Sequence, residues 1–231
     1  SVVITKADIN GSITNVKYFN TITISGAIGD NFTGVSIGGF EEAGDNLIIA
    51  GNSVDQDSDS IGYYSARNIY VTATSKNLNT SVESFITHYD DDDDVEVCTP
   101  HLVKINDNKL LVMWEEIKDY QLYTRIAVIN ERGNLVSSIV NTNMRLSDCK
   151  PVLLSNGLVC WYVSTASGNT VYFVDPENIE SANFGCIPAV SSLKATAFDS
   201  TSVTLSWSNV EGAKGYVIQK YVDGKWTDYE T

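Results

Sequence analysis

Carboxylates are the first groups in this 231-residue chain whose type and spacing suggest chemistry. Asp55, Asp57 and Asp59 alternate ahead of Gly62, and residues 90–94 are consecutive aspartates with Glu96 just beyond. Hard cations such as calcium collect several carboxylate oxygens. Asp55, Asp57, Asp59, Asp90, Asp92 and Asp94 are therefore candidate ligands of a structural calcium ion. Without a cation, adjacent carboxylates repel one another. The plainer reading of both stretches is a solvated connection between strands, because Ser60 stands where a tight calcium loop wants Gly and no Glu closes that loop.

Glu115 and Glu116 directly follow Trp114. A glycosidase needs two carboxyl groups facing across a cleft, one to protonate and one to attack or to activate water. Neighbours along a strand point to opposite faces, so these two need a partner such as Glu41, Glu42 or Asp148. The plainer expectation is a pair at the rim or facing solvent. His88 and His101 lie beside no nucleophile motif and Gly-x-Ser-x-Gly does not occur, so both are expected to be structural or on the surface. Trp114, Trp161 and Tyr162 would offer a sugar ring a stacking platform. The two tryptophans, however, occupy the same position in successive repeats, which favours packing between repeats. Tyr63, Tyr64, Tyr120 and Tyr123, near loops, are the ligand-binding candidates. Cys98 and Cys149 each stand two residues before a proline at the start of a repeat. Those equivalent positions allow a bridge or two free thiols. Cys160 falls in a strand and Cys186 in a later segment. The chain has no C-x-x-C pair, and its two histidines make no usual zinc set.

The elements that position these residues are short strands joined by tight turns. Residues 110–114, 158–161 and 47–50 are apolar runs, each entered through a polar turn at 106–109, 155–157 and 43–46. Each is trailed by a further hairpin, read at 68–89, 124–142 and from 170 onward. A leading hairpin at 2–19 turns at Asn10-Gly11, a pair suited to a two-residue loop. Val, Ile, Thr and Tyr fill the apolar runs, which is a β composition. A repeat of roughly 45–55 residues made only of short strands resembles the blades of a β-propeller. The fold class expected is all-β: a propeller-like array of four-stranded antiparallel blades over 1–188. It comprises units at 22–89, 98–143 and 149–178 and one leading half-unit. The insertion at 52–67 stretches the first unit. Three and a half blades do not close a ring, so the parent protein is expected to continue upstream of Ser1.

From about Pro188 the pattern changes. Leu193 to Ala197 is followed by Val203, Leu205 and Trp207 in alternation, then by Gly215-Tyr216-Val217-Ile218. This resembles the first half of a fibronectin type III domain, with Trp207 at the family's core tryptophan and Tyr216 at its third-strand tyrosine. The resemblance covers 189–231 and implies a β-sandwich whose later strands would follow Thr231.

The formal net charge of −14 disfavours nucleic acid as a partner. No apolar run is long enough to span a bilayer as a helix. Propeller-like blades followed by a fibronectin type III module resemble secreted or cell-surface proteins of bacteria. The resemblance implies an extracellular, non-catalytic binding or display module for a glycan or a cell-surface protein, and the acidic loops would bind calcium as a structural ion. The alternative is an ancillary or catalytic part of a glycoside hydrolase.

Overall fold

The computed structural model describes residues 2–19, 36–55, 65–166, 168–179, 187–188, 190, 192–197, 199, 201–210 and 215–229. The architecture is all-β and built from antiparallel sheets in chain order. A hairpin of β1 (Val2–Ala7) and β2 (Ile13–Phe19) comes first. Three four-stranded meanders follow. The first holds β3 (Ser36–Ala43), β4 (Asn46–Ser53), β5 (Asn68–Ser75) and β6 (Ser81–Phe85). The second holds β7 (Val95–Asn106), β8 (Lys109–Lys118), β9 (Gln121–Asn130) and β10 (Val140–Thr142). The third holds β11 (Val152–Leu153), β12 (Val159–Thr165), β13 (Gly168–Val174) and β14 (Ile187–Pro188). The fourth strand of the third unit thus lies beyond the expected end at 178. Two more hairpins close the described chain: β15 (Lys194–Ala197) with β16 (Val203–Ser206), and β17 (Gln219–Val222) with β18 (Lys225–Asp228).

Alternation along β8 shows why the sheets stack face to face. Leu110, Val112 and Trp114 enter a core shared with the first sheet through Ile48, Ala50, Ile69 and Val71. Leu111 and Met113 enter a second core shared with Val159, Trp161 and Val174 of the third sheet. All five β8 side chains are fully buried. At about 1.5–3 kcal/mol for each large apolar side chain removed from water, this strand is a leading source of stability. A sheet with two apolar faces is stable only between neighbours, and this gives the array its propeller-like succession. The leading hairpin makes a smaller contact of the same kind, with Ile4 against Ile49 and Leu78.

The inner strands β3 and β7 meet almost without side chains. A Cβ built on Gly38 would overlap the Pro100 carbonyl, and one on Gly39 would overlap Leu102. Pro100 lies in a bulge where β7 slips register between Cys98 and His101, with Thr99 at φ 50°. Proline is tolerated there because no ladder donor is needed. Polar ties add to the stack. The Asn46 side-chain amide donates to the Glu131 carbonyl at 2.9 Å. The Lys109 ammonium meets the Glu177 carboxylate at the turns of the second and third sheets.

The closing strand of the hairpin expected at 124–142 is shorter than its sequence suggests. Only 140–142 pair regularly with β9. The Val128 amide donates to the Ser137 hydroxyl at 2.8 Å instead of to a strand carbonyl, so the chain bulges over 135–139.

Candidate functional site

The connections that carry most of the candidate residues leave from one end of the sheets. Val95, at the start of β7, pairs with Lys118 at the end of β8. The acidic run and the β8–β9 turn therefore share an end. The β4–β5 connection joins them there, because the Ala66 amide donates to Asp91 Oδ1 at 2.8 Å. The linker at 143–150 arrives at the same end, where the Leu146 amide donates to Glu115 Oε1 at 2.9 Å.

The acidic run is partly folded by its own carboxylates. Residues 91–93 form a single 3-10 turn capped by Asp90. Asp90 Oδ1 accepts from the Asp92 amide at 3.2 Å, and Asp93 Oδ2 accepts from the Asp90 amide at 3.0 Å. Negative charge at the start of a turn suits the exposed amides there. Asp94 ends the turn at φ 48°. These carboxylate oxygens thus serve backbone donors, a role that the residue types alone do not reveal. Among the described residues, no group of three or more Asp, Glu, His or Cys is arranged to hold a metal ion. Asp55 is described; Asp57, Asp59, Tyr63, Tyr64 and Cys186 lie outside the described residues.

Glu115 and Glu116 correct the expectation of a rim or solvent-facing pair, since both are buried. They leave β8 on opposite faces, as alternation requires. Glu116 accepts from Trp114 Nε1, from the Tyr89 hydroxyl and from Arg125 Nε, each at 2.8 Å. Burial, and then the Glu116 charge, hold the Tyr89 phenol well above its usual range. Glu115 binds the next linker through the Leu146 amide and Arg145. A buried carboxylate is tolerable only with such partners, and here they bind one sheet to the next. The Trp-x-Glu spacing places an indole donor and its acceptor on one strand face, and it was the available signal for this hub. Glu41 is ion-paired with Lys150 from the 143–150 linker.

His101 is buried and donates through Nε2 to the Ser147 carbonyl at 2.7 Å. Burial lowers its pKa, against the raising effects of that bond and of the Glu115 and Asp148 carboxylates. The unfolded chain takes up a proton here near the ordinary value of 6.5, while the folded chain resists it. The stability contributed by neutral His101 is therefore complete above that pH and is lost as the pH falls towards the folded value. We expect the unfolding free energy to decline below about pH 6.5. His101→Gln should flatten that decline in urea titrations, and an unchanged slope would refute the assignment.

The aromatics divide into two groups. Trp114 and Trp161 are core residues, and Trp161 Nε1 donates to the Arg145 carbonyl at 2.8 Å. Tyr123 is held by its hydroxyl bond to Gln121 at 2.9 Å, with the Arg125 guanidinium 5.6 Å from its ring centre. Tyr120, by contrast, is fully exposed at the tip of the β8–β9 hairpin. It and Asp119 sit at φ 61° and 52°. Two successive left-handed residues suit a tight hairpin turn, though Asn-Gly usually fills it and a bulky residue costs about 1–2 kcal/mol there. Cys98, Cys149 and Cys160 are free thiols, so no Cys98–Cys149 bridge joins the units.

No protein-family model matches the sequence, and no curated protein matches it. Among solved structures the chain is similar to a family 117 glycoside hydrolase produced by the marine bacterium Zobellia galactanivorans. The two share 10% identity over 83% of this chain and 71% of that chain, with a TM-score of 0.41. A likeness at that level says nothing about chemistry.

Proposed function

We propose that this chain is a non-catalytic binding module of a secreted or cell-surface protein. It takes a glycan or a protein at the end of the sheets where the long connections gather. The observation that carries this reading is Tyr120. A large aromatic ring is displayed fully to solvent on a left-handed turn, three residues before an anchored Tyr123. Backbone held in a sparsely populated conformation at the tip of a connection is characteristic of recognition sites. The inner carboxylates support a scaffold role, since Glu115 and Glu116 diverge and each is occupied by donors.

The test is a glycan array and a cell-surface protein array probed with the wild-type chain and with Tyr120→Ala. The wild type should bind specific spots. The variant should lose about tenfold in affinity, or about 1.4 kcal/mol, at an unchanged melting temperature. Arrays on which every bound spot survives Tyr120→Ala undiminished, or release of reducing sugar from a polysaccharide by the purified chain, would overturn the reading.

A further inference from the structure

We propose that the face of the β17–β18 hairpin that carries Tyr221 and Trp226 is a second recognition site, one that stacks a neutral glycan. Cross-strand pairing sets the face. Gln219 opposes Asp228 and Tyr221 opposes Trp226, two residues along. Side chains two apart on paired strands share a face, so these four lie together. Tyr221 is 62% exposed and Trp226 66%. Their ring centres are 5.3 Å apart and the planes are inclined at 60°. Two tilted rings form an angular notch rather than a closed stack, leaving the indole face open.

Isolated exposed aromatics are ordinary on a protein surface, whereas an adjacent pair with polar neighbours calls for a ligand. The polar neighbours here are Gln219 and Asp228, joined by a hydrogen bond of 2.8 Å from the Gln219 amide to Asp228 Oδ1. That bond uses one amide hydrogen and one carboxylate oxygen. The remaining amide hydrogen, amide oxygen and carboxylate oxygen are donors and acceptors suited to hydroxyl groups. Rings that cover an apolar C–H face, flanked by groups that bond hydroxyls, match one side of a pyranose.

Charge decides between glycan classes. Both lysines of the hairpin, Lys220 and Lys225, occupy the opposite face by the same alternation, with the Lys220 ammonium over the Tyr229 ring at 5.3 Å. Among the described residues of the hairpin, the proposed face therefore holds no cation for sulfate or uronate groups. The asparagine-glycine role in the turn is taken by Asp223 and Gly224 at φ 51° and 80°, which fixes the two strands and the rings they carry.

The site stands apart from the loop-end reading and is tested separately. The whole chain is run in native gels containing xylan, laminarin, galactomannan or alginate. We expect retardation in at least one of the three neutral polysaccharides. Trp226→Ala and Tyr221→Ala should each weaken it about tenfold, while Tyr120→Ala leaves it unchanged. Both variants remove exposed rings, and their melting curves should match the wild type. The proposal is overturned by no retardation in any neutral gel, by retardation confined to alginate, or by retardation that survives both substitutions. It is also overturned if the wild type sediments as a dimer that Trp226→Ala dissolves, because the face is then filled by a second copy.

Discussion

Trp114→Ala is expected to lower the unfolding free energy by about 3–5 kcal/mol, the range for deleting a large aromatic from a packed core. The indole is fully buried between the first and second sheets, among Ala43, Ile69, Val71 and Val112. No single strand can collapse into the space it leaves, because backbone ladders tie each strand to its neighbours within its own sheet. The change also withdraws one of the three donors on Glu116, leaving a buried carboxylate with Tyr89 and Arg125. That loss adds to the cavity cost. Urea denaturation followed by far-ultraviolet circular dichroism should show a lower midpoint with a similar slope. A loss below about 1.5 kcal/mol, typical of volume-conserving core changes, would mean that the indole does not hold the two sheets together.

Gly38→Ala is the second large effect. The added methyl meets a backbone carbonyl, that of Pro100, and not the far end of a flexible side chain. Relief requires the whole of β3 to move from β7, with loss of the packing behind it. We expect at least 3 kcal/mol of destabilisation, the upper end of the roughly 1–3 kcal/mol range for overpacking. Gly215→Ala is the control, because nothing among the described residues lies within 4 Å of the position its methyl would take. At about 2–4 °C per kcal/mol in a domain of this size, the first variant should melt about 6–12 °C early and the control close to wild type. Equal melting temperatures would disprove the tight seam.

Much of the array was legible because β patterning is local. The turns at Asn106–Lys109 and Ser155–Gly157, each followed by an apolar run ending near a tryptophan, specify strand, turn and register over a few residues. The equivalence of Trp114 and Trp161 likewise pointed to burial between repeats, where both rings are found. What escaped was long-range or depended on side-chain exchange. Ser137 replacing a strand carbonyl for Val128 has no sequence period, so the residue pattern of the 124–142 hairpin does not reveal the bulge at 135–139. Charge normally stays wet, so the sequence places Glu116 at the rim. Its three donors come from positions 89, 114 and 125, and only the first sheet packing against the second brings Tyr89 to it. The residue types of the acidic run suggest a ligand set or a linker, and that Asp90 and Asp93 also cap a turn, through contacts two and three residues long, is visible only in the fold. Tyr120 was legible as a loop residue, but its left-handed backbone was not.

The glycine contact between β3 and β7 carries a mechanical consequence. Where two main chains touch directly, their separation is fixed by peptide atoms that have no rotamers to exchange. Any bending of the first sheet against the second must therefore pivot on that line, and amplitude must grow with distance from it. Peripheral strands such as β6, where Val82 is 60% exposed, would swing most, while the central strands act as a stiff axle.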